Sequence, residues 1–168
     1  AIAYAATLGT LEGELAKLDM ELGEAMGSDR EPKAIFDILV SIPGVGKVTA
    51  TAMIITTQGF TKFGSGKKLA CYCGVAPFEH SSGRSIKGRT RVSKLANMQL
   101  KSLLHMCARS AIRAKGEFQN YFERKVKEGK HKMSVINAIQ NKMVLRMFAL
   151  VRDGRIYEKN YQFDLQKP

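Results

Sequence analysis

Apolar residues recur along this chain at three- and four-residue intervals, the spacing of a single helical face. Near the start, Leu8, Leu11, Leu15, Leu18, Leu22 and Ala25 alternate those two spacings, a heptad seam over about three repeats. Gly9, Gly13 and Gly23 weaken that helix, each by up to about 1 kcal/mol relative to alanine. The pattern predicts a coiled-coil-like helical arm over residues 1–27. Pairing with another chain and packing on its own core are both open for it. Gly27-Ser28-Asp29-Arg30-Glu31-Pro32 breaks the seam, with Pro32 placed for the first turn of the next helix.

A second apolar segment, Ala34 to Val40, runs into Pro43, which pushes the preceding residue out of the α region and ends the helix. From Lys47 to Gln58 helical spacing returns, with Ala50, Met53, Ile54 and Thr57 on one face and Gly59 as the stop. A short helix is predicted over Lys67 to Tyr72. A long one starts at Ser93, which can cap it, and shows Leu100, Leu103, Leu104, Cys107 and Ala111. Gly116 interrupts it. Phe118, Tyr121, Phe122 and Val126 form a second stripe ended by Gly129, and Val135, Ile139, Met143, Val144 and Met147 a third, closed by Asp153-Gly154. There is no internal repeat and no paired-strand pattern. The expected fold is all-α: a helical domain over 28–168 containing a helix-hairpin-helix at about 34–58, preceded by the arm.

Charge narrows the function classes. The 168 residues carry a formal net charge of +12, with a sequence pI of about 9.8. A polyanionic partner is implied, nucleic acid first and an anionic membrane surface second. The 45% hydrophobic content suffices for a packed core, yet no apolar run approaches the roughly 18 residues of a membrane span. No signal peptide is evident, and the expected compartment is the cytoplasm. The chain opens inside a helical pattern without a start methionine, as expected for part of a longer protein. Three cysteines do not make a disulfide framework. Cys71-x-Cys73 without a second pair is a poor zinc pattern, so these thiols and Cys107 read as buried and no metal is assigned. His105 and His131 are isolated and read as packing or surface residues.

Two stretches carry candidate chemistry. In Pro43-Gly44-Val45-Gly46-Lys47 the glycines leave bare amides at the start of a helix, with a lysine beside them. Such a terminus binds an anion, most simply a backbone phosphate, through Gly44, Gly46 and Lys47. The alternative is a tight helix–helix corner whose glycines serve close packing. Residues 78–93 form the least regular stretch of the domain. It carries Arg84, Lys87, Arg89 and Arg91, followed by Lys94, with no acid after Glu79. An irregular loop of uniform positive charge is expected to lie along phosphates; a solvated loop is the alternative.

Together these motifs resemble the C-terminal transposase domain of the IS-one-ten class of bacterial insertion-sequence transposases. The resemblance rests on Ile42-Pro43-Gly44-Val45-Gly46 with Thr49-Ala50. It extends through Phe63, Lys67, Leu69-Ala70, Gly74-Val75-Ala76-Pro77, Ser82-Gly83, Lys94 and Asn97 to Arg152-Asp153-Gly154 with Tyr157. It covers roughly residues 35–157, and the order and spacing of the motifs make it specific. The resemblance implies a two-part DNA recombinase. A RuvC-like N-terminal domain, outside this sequence, would supply four acidic residues and divalent metal, Mg by expectation. The present chain, inactive without that domain, would supply a serine that attacks a DNA phosphodiester, and a guide RNA would direct target choice. That serine is Ser82, directly before Gly83, with Ser81 next by register. Arg84, Lys87 and Arg89 would add charge stabilisation. The arm would support a homo-oligomer. The chain departs from the family pattern at Ala96, usually glycine, and at Gln99 and Lys101, frequently arginines; lysine lacks the bidentate arginine fork. A non-catalytic nucleic-acid-binding module is the alternative function.

Overall fold

In a computed structural model the described residues are 2–28, 30–82, 86–92 and 96–159. The chain divides into two compact units, residues 1–34 and 35–168. The first holds α1 (Ile2–Ser28), a continuous helix on which Leu8, Leu11, Leu15 and Leu18 are 51–62% exposed. These four leucines of the seam thus form an unburied apolar stripe.

The second unit is helical, in the order expected from the apolar spacing. The helix α2 (Arg30–Val40) crosses into it and buries Ile35, Ile38 and Leu39. It is followed by α3 (Lys47–Thr57), α4 (Gly66–Tyr72), α5 (Met98–Arg113), α6 (Glu117–Lys127) and α7 (Lys132–Asp153). The last helix is the central one, packing against α4, α5 and α6, while α5 also meets α3 and α6. Val135, Ile139, Met143, Val144 and Met147 are all buried along it, as the spacing predicts. So are the four expected positions of α3, and Leu100, Leu104, Cys107 and Ala111 of α5; Leu103 is half-buried. Gly154, left-handed at φ 61°, closes α7.

Two expectations are corrected. First, α5 begins at Met98, and Asn97 caps it by accepting from the Leu100 amide at 3.1 Å; Ser93 lies outside the described residues. Second, the irregular stretch contains an antiparallel hairpin, β1 (Phe78–Ser82) and β2 (Ile86–Arg91), with an irregularity between Phe78 and His80. Its strands are short, with serine, glycine and charged residues scattered through them, so apolar alternation gave no signal. The class remains all-α, with this one ladder among the described residues inserted between α4 and α5.

The turn between α2 and α3 is anchored through Gly44. Its φ is +88°, and a methyl group there would stand 2.5 Å from the Cys107 carbonyl oxygen, 2.7 Å from the Ala111 nitrogen and 2.8 Å from the Ala111 Cβ. Backbone meets backbone, so nothing flexible can yield. Gly46, by contrast, faces open space, with nothing within 4 Å of an added Cβ. Gly44→Ala is therefore expected to destabilise the chain by roughly 2–4 kcal/mol, combining positive-φ strain with overlap. Gly46→Ala should shift stability by less than about 1 kcal/mol. Urea unfolding midpoints check the contrast; equal midpoints for both variants would refute it.

Candidate nucleic-acid interface

At the first candidate site, the N-terminus of α3 is open. Gly46 occupies the capping position at φ −96° and ψ 170°, and no side chain caps the helix. Gly46, Lys47 and Val48 are exposed. The first amides of a helix have no acceptor within it, and here they leave the body beside one ammonium group. The other side of the turn is tied down. The Cys107 thiol bonds to the Thr49 hydroxyl at 3.2 Å, and the Gly46 backbone also contacts that thiol. The two sequence readings of the glycines therefore divide between them. Gly44 is where close packing demands glycine, and Gly46 is where the helix end faces solvent.

The second candidate site is the hairpin. Ser82 is the last residue of β1 and pairs with Ile86, while Ser81 pairs with Lys87. Lys87, Arg89 and Arg91 lie on β2. Arg84 and Lys94 fall outside the described residues. What fixes the hairpin is its base. The Asn97 amide donates to the Tyr72 carbonyl at 2.9 Å, and the Asn97 side chain donates to the Tyr72 hydroxyl at 3.4 Å. The Tyr72 ring packs against Phe63 at a tilt of 48°, centroids 5.1 Å apart, with the Lys62 ammonium 5.6 Å from the Tyr72 ring. From the central helix, Asn137 donates to the Val75 carbonyl at 3.1 Å. Gly74 at φ +66° allows the two arms to close, since a methyl there would lie 2.5 Å from the Ala96 Cβ. Thus the departure at Ala96 meets a partner position that has no side chain. Asn97 was read in the sequence as a motif residue within a helix; its role as cap and clamp emerges only from geometry.

Among the described residues no three of His, Cys, Asp and Glu converge to hold a metal. Cys73 and Cys107 are buried, while Cys71 is half-buried. Burial pushes the Cys73 thiol up to about 12 and raises that of Cys107 too, against the hydrogen bonds that reach it. Both stay protonated in the folded chain when the unfolded chain has begun to ionise near 9.0. The unfolded state then binds fewer protons, so stability falls as pH rises from 9 toward 12, by up to about 1.4 kcal/mol per unit for a fully buried thiol. Maleimide labelling at pH 7.5 should modify Cys71 in the native chain and reach Cys73 and Cys107 only after unfolding; rapid native labelling of all three would contradict this.

Comparison with known proteins now adds to the geometry. Residues 36–123 match the model of the Transposase IS116/IS110/IS902 family. The chain is 30% identical over 148 residues to a "Pilin gene-inverting protein" of Moraxella lacunata, covering 86% of this chain and 45% of that protein. It is 32% identical over 128 residues to the IS110 uncharacterized 43.6 kDa protein of Streptomyces coelicolor, covering 76% of this chain and 31% of that one. To the IS900 uncharacterized 42 kDa protein of Mycobacterium paratuberculosis it is 28% identical over 157 residues, covering 91% and 39%. The chain thus spans less than half the length of these relatives. The matched segment runs from α2 through the open turn, the clamp and the hairpin into α6, and with it the chain belongs to the Transposase IS116/IS110/IS902 family.

Proposed function

We propose that this chain is the DNA-binding and strand-joining part of an insertion-sequence transposase, with Ser82 as the nucleophile. The observation that carries the reading is the hairpin: a serine at the end of β1, on a basic two-stranded arm, rooted in the family-matched body through Tyr72 and Asn97. A relative described as inverting a pilin gene is consistent with rearrangement of DNA.

In this reading the Ser82 oxygen attacks a DNA phosphorus in line with a sugar oxygen. A P–O(Ser) bond forms as the P–O(sugar) bond breaks, and the serine proton and a proton for the leaving oxygen balance. The diester count is unchanged, so the reverse attack by a sugar hydroxyl rejoins a strand without an external energy source. A serine hydroxyl is a weak nucleophile until its proton is removed or stabilised. Arg84, Lys87 and Arg89 would favour the charged transition state. The open amides of α3 with Lys47, together with Arg91 and Lys94, would hold phosphates without reading bases. Divalent metal would come with the part of the protein that the longer relatives have and this chain does not span. A guide RNA is proposed as a further partner.

Ser81 and Ser82 occupy successive register positions, opposite Lys87 and Ile86, so each is tested separately. In the protein that includes the remaining domain, Ser82→Ala should abolish the covalent protein–DNA adduct while leaving DNA binding within about twofold, since only one hydroxyl is lost. Ser81→Ala should retain the adduct. Transfer of the defect to Ser81→Ala would move the assignment by one residue. An adduct that survives both would leave a non-catalytic binding module.

We further propose that α1 pairs with a second copy. Its exposed leucines form a seam with the spacing of a coiled coil. Replacing Leu11 and Leu15 with lysine should convert a dimer to a monomer in sedimentation equilibrium. Unchanged mass would exclude pairing through α1.

A further inference from the structure

A second region with the makings of a nucleic-acid surface lies away from the hairpin, along α6. Three clefts of about 220, 350 and 440 Å³ run from the turn before α3 to the far end of α6. They are continuous in lining. The first two share Glu117 and Phe118, and the second and third share Asn120 and Arg124. Pro43 lines the first, and the Tyr157 amide donates to the Ser41 hydroxyl at 2.9 Å, which fixes the C-terminal segment as one wall.

The lining is basic and aromatic. Lys115, Arg124, Lys127, Lys142, Arg146 and Lys159 face three carboxylates, those of Glu117, Glu123 and Glu128. Glu117 pairs with Arg146, and Glu128 with Lys125 at 2.6 Å, so two of the three acids are already matched. Lys115, Lys127, Lys142 and Lys159 have no carboxylate partner among the described residues. Between the cations stand rings. Lys142 lies 4.7 Å and Arg124 5.7 Å from the Tyr121 centroid. Arg146 lies 5.3 Å from that of Phe118 and 5.5 Å from that of Tyr157. Phe118 is buried and forms the floor, but Tyr121 and Tyr157 are only half-buried. A stripe that the sequence assigns to the core thus leaves Tyr121 at the surface beside cations, and Tyr157 joins it from the C-terminal segment.

We propose that this groove binds an unpaired nucleic-acid strand, with bases stacked on Tyr121 and Tyr157 and the backbone followed by the lysines. Alternating rings and cations suit such a strand, because every base has a π-face and every linkage a charge. A duplex keeps its bases stacked on one another and offers a tyrosine ring nothing to stack on. The inference rests on nucleic acid as the partner, but not on Ser82 or on the anion site at α3.

Anisotropy titrations of the 168-residue chain with labelled oligo(dT), oligo(U), a mixed-sequence DNA duplex and polyglutamate test it. Tyr121→Leu keeps apolar bulk and removes the ring. It should weaken single-strand binding by roughly 5- to 100-fold, the loss of one stacked base, and leave duplex binding unchanged. Lys142→Gln alters an exposed side chain that folding does not require; it should lower the log–log salt slope on the single strand by roughly 0.7. A loss on either oligo(dT) or oligo(U) supports the groove and assigns it to that strand type. Gly46→Val separates the readings, since it should weaken duplex binding alone. If it does not, the α3 site fails while the groove stands. Unchanged single-strand affinity in both Tyr121→Leu and Lys142→Gln, or equal losses on duplex or polyglutamate, would overturn the proposal.

Discussion

At Gly44 the turn that leads into α3 touches α5 backbone to backbone, with no room for a single methyl group. The contact does more than fill space. It sets where α3 starts, and the Thr49–Cys107 bond, one turn further along, locks the same pair of helices from the other side of the joint. Because α5 is itself packed against the central helix α7, the open amides after Gly46 inherit the rigidity of the core. A helix end that is unpaired yet held firmly is what an anion-binding terminus requires, since little ordering entropy remains to be lost on binding.

The same device recurs at the root of the hairpin. Gly74 lets the Gly74–Pro77 segment close on Ala96, and Tyr72 and Asn97 bond across the gap. Two candidate segments, the turn with Lys47 and the basic hairpin, are therefore fixed by positions that lack a side chain. Surface loops carry chemistry most effectively when a rigid scaffold places them, and here the scaffold reaches each loop through a glycine.

How much of this the sequence disclosed follows from what kind of signal each element has. The stripes of α3, α5 and α7 were legible because burial on one face imposes a spacing, and the buried apolar residues of α7 are the ones the spacing names, with Gln140 the polar addition. The hairpin was not, because its ladder is made of backbone groups and its residues have no apolar alternation. Asn97 carries no sign of its role in the sequence, because Ser93 offers a capping side chain as well; the bond from the Leu100 amide shows the cap and the bond to Tyr72 the clamp. Gly44 and Gly46 look alike in a string of letters; what separates them is a neighbour 63 and 67 positions away, Cys107 and Ala111. Tyr121 has the spacing of a core residue, yet α6 meets only α5 and α7 and Tyr121 is only half-buried.

The Tyr72–Asn97 bonds join two points 25 positions apart in the chain. In polymer terms they close a ring, and the closure entropy of a ring grows only slowly with the number of links in it. The helical body therefore pays almost the same for a long insert as for a short one at this junction. Beyond Pro77 the arm can lengthen or shorten at little cost to the bundle beneath it, each doubling of the loop costing only about 0.6 kcal/mol. The arm of such a protein can drift quickly in sequence while its scaffold stays put.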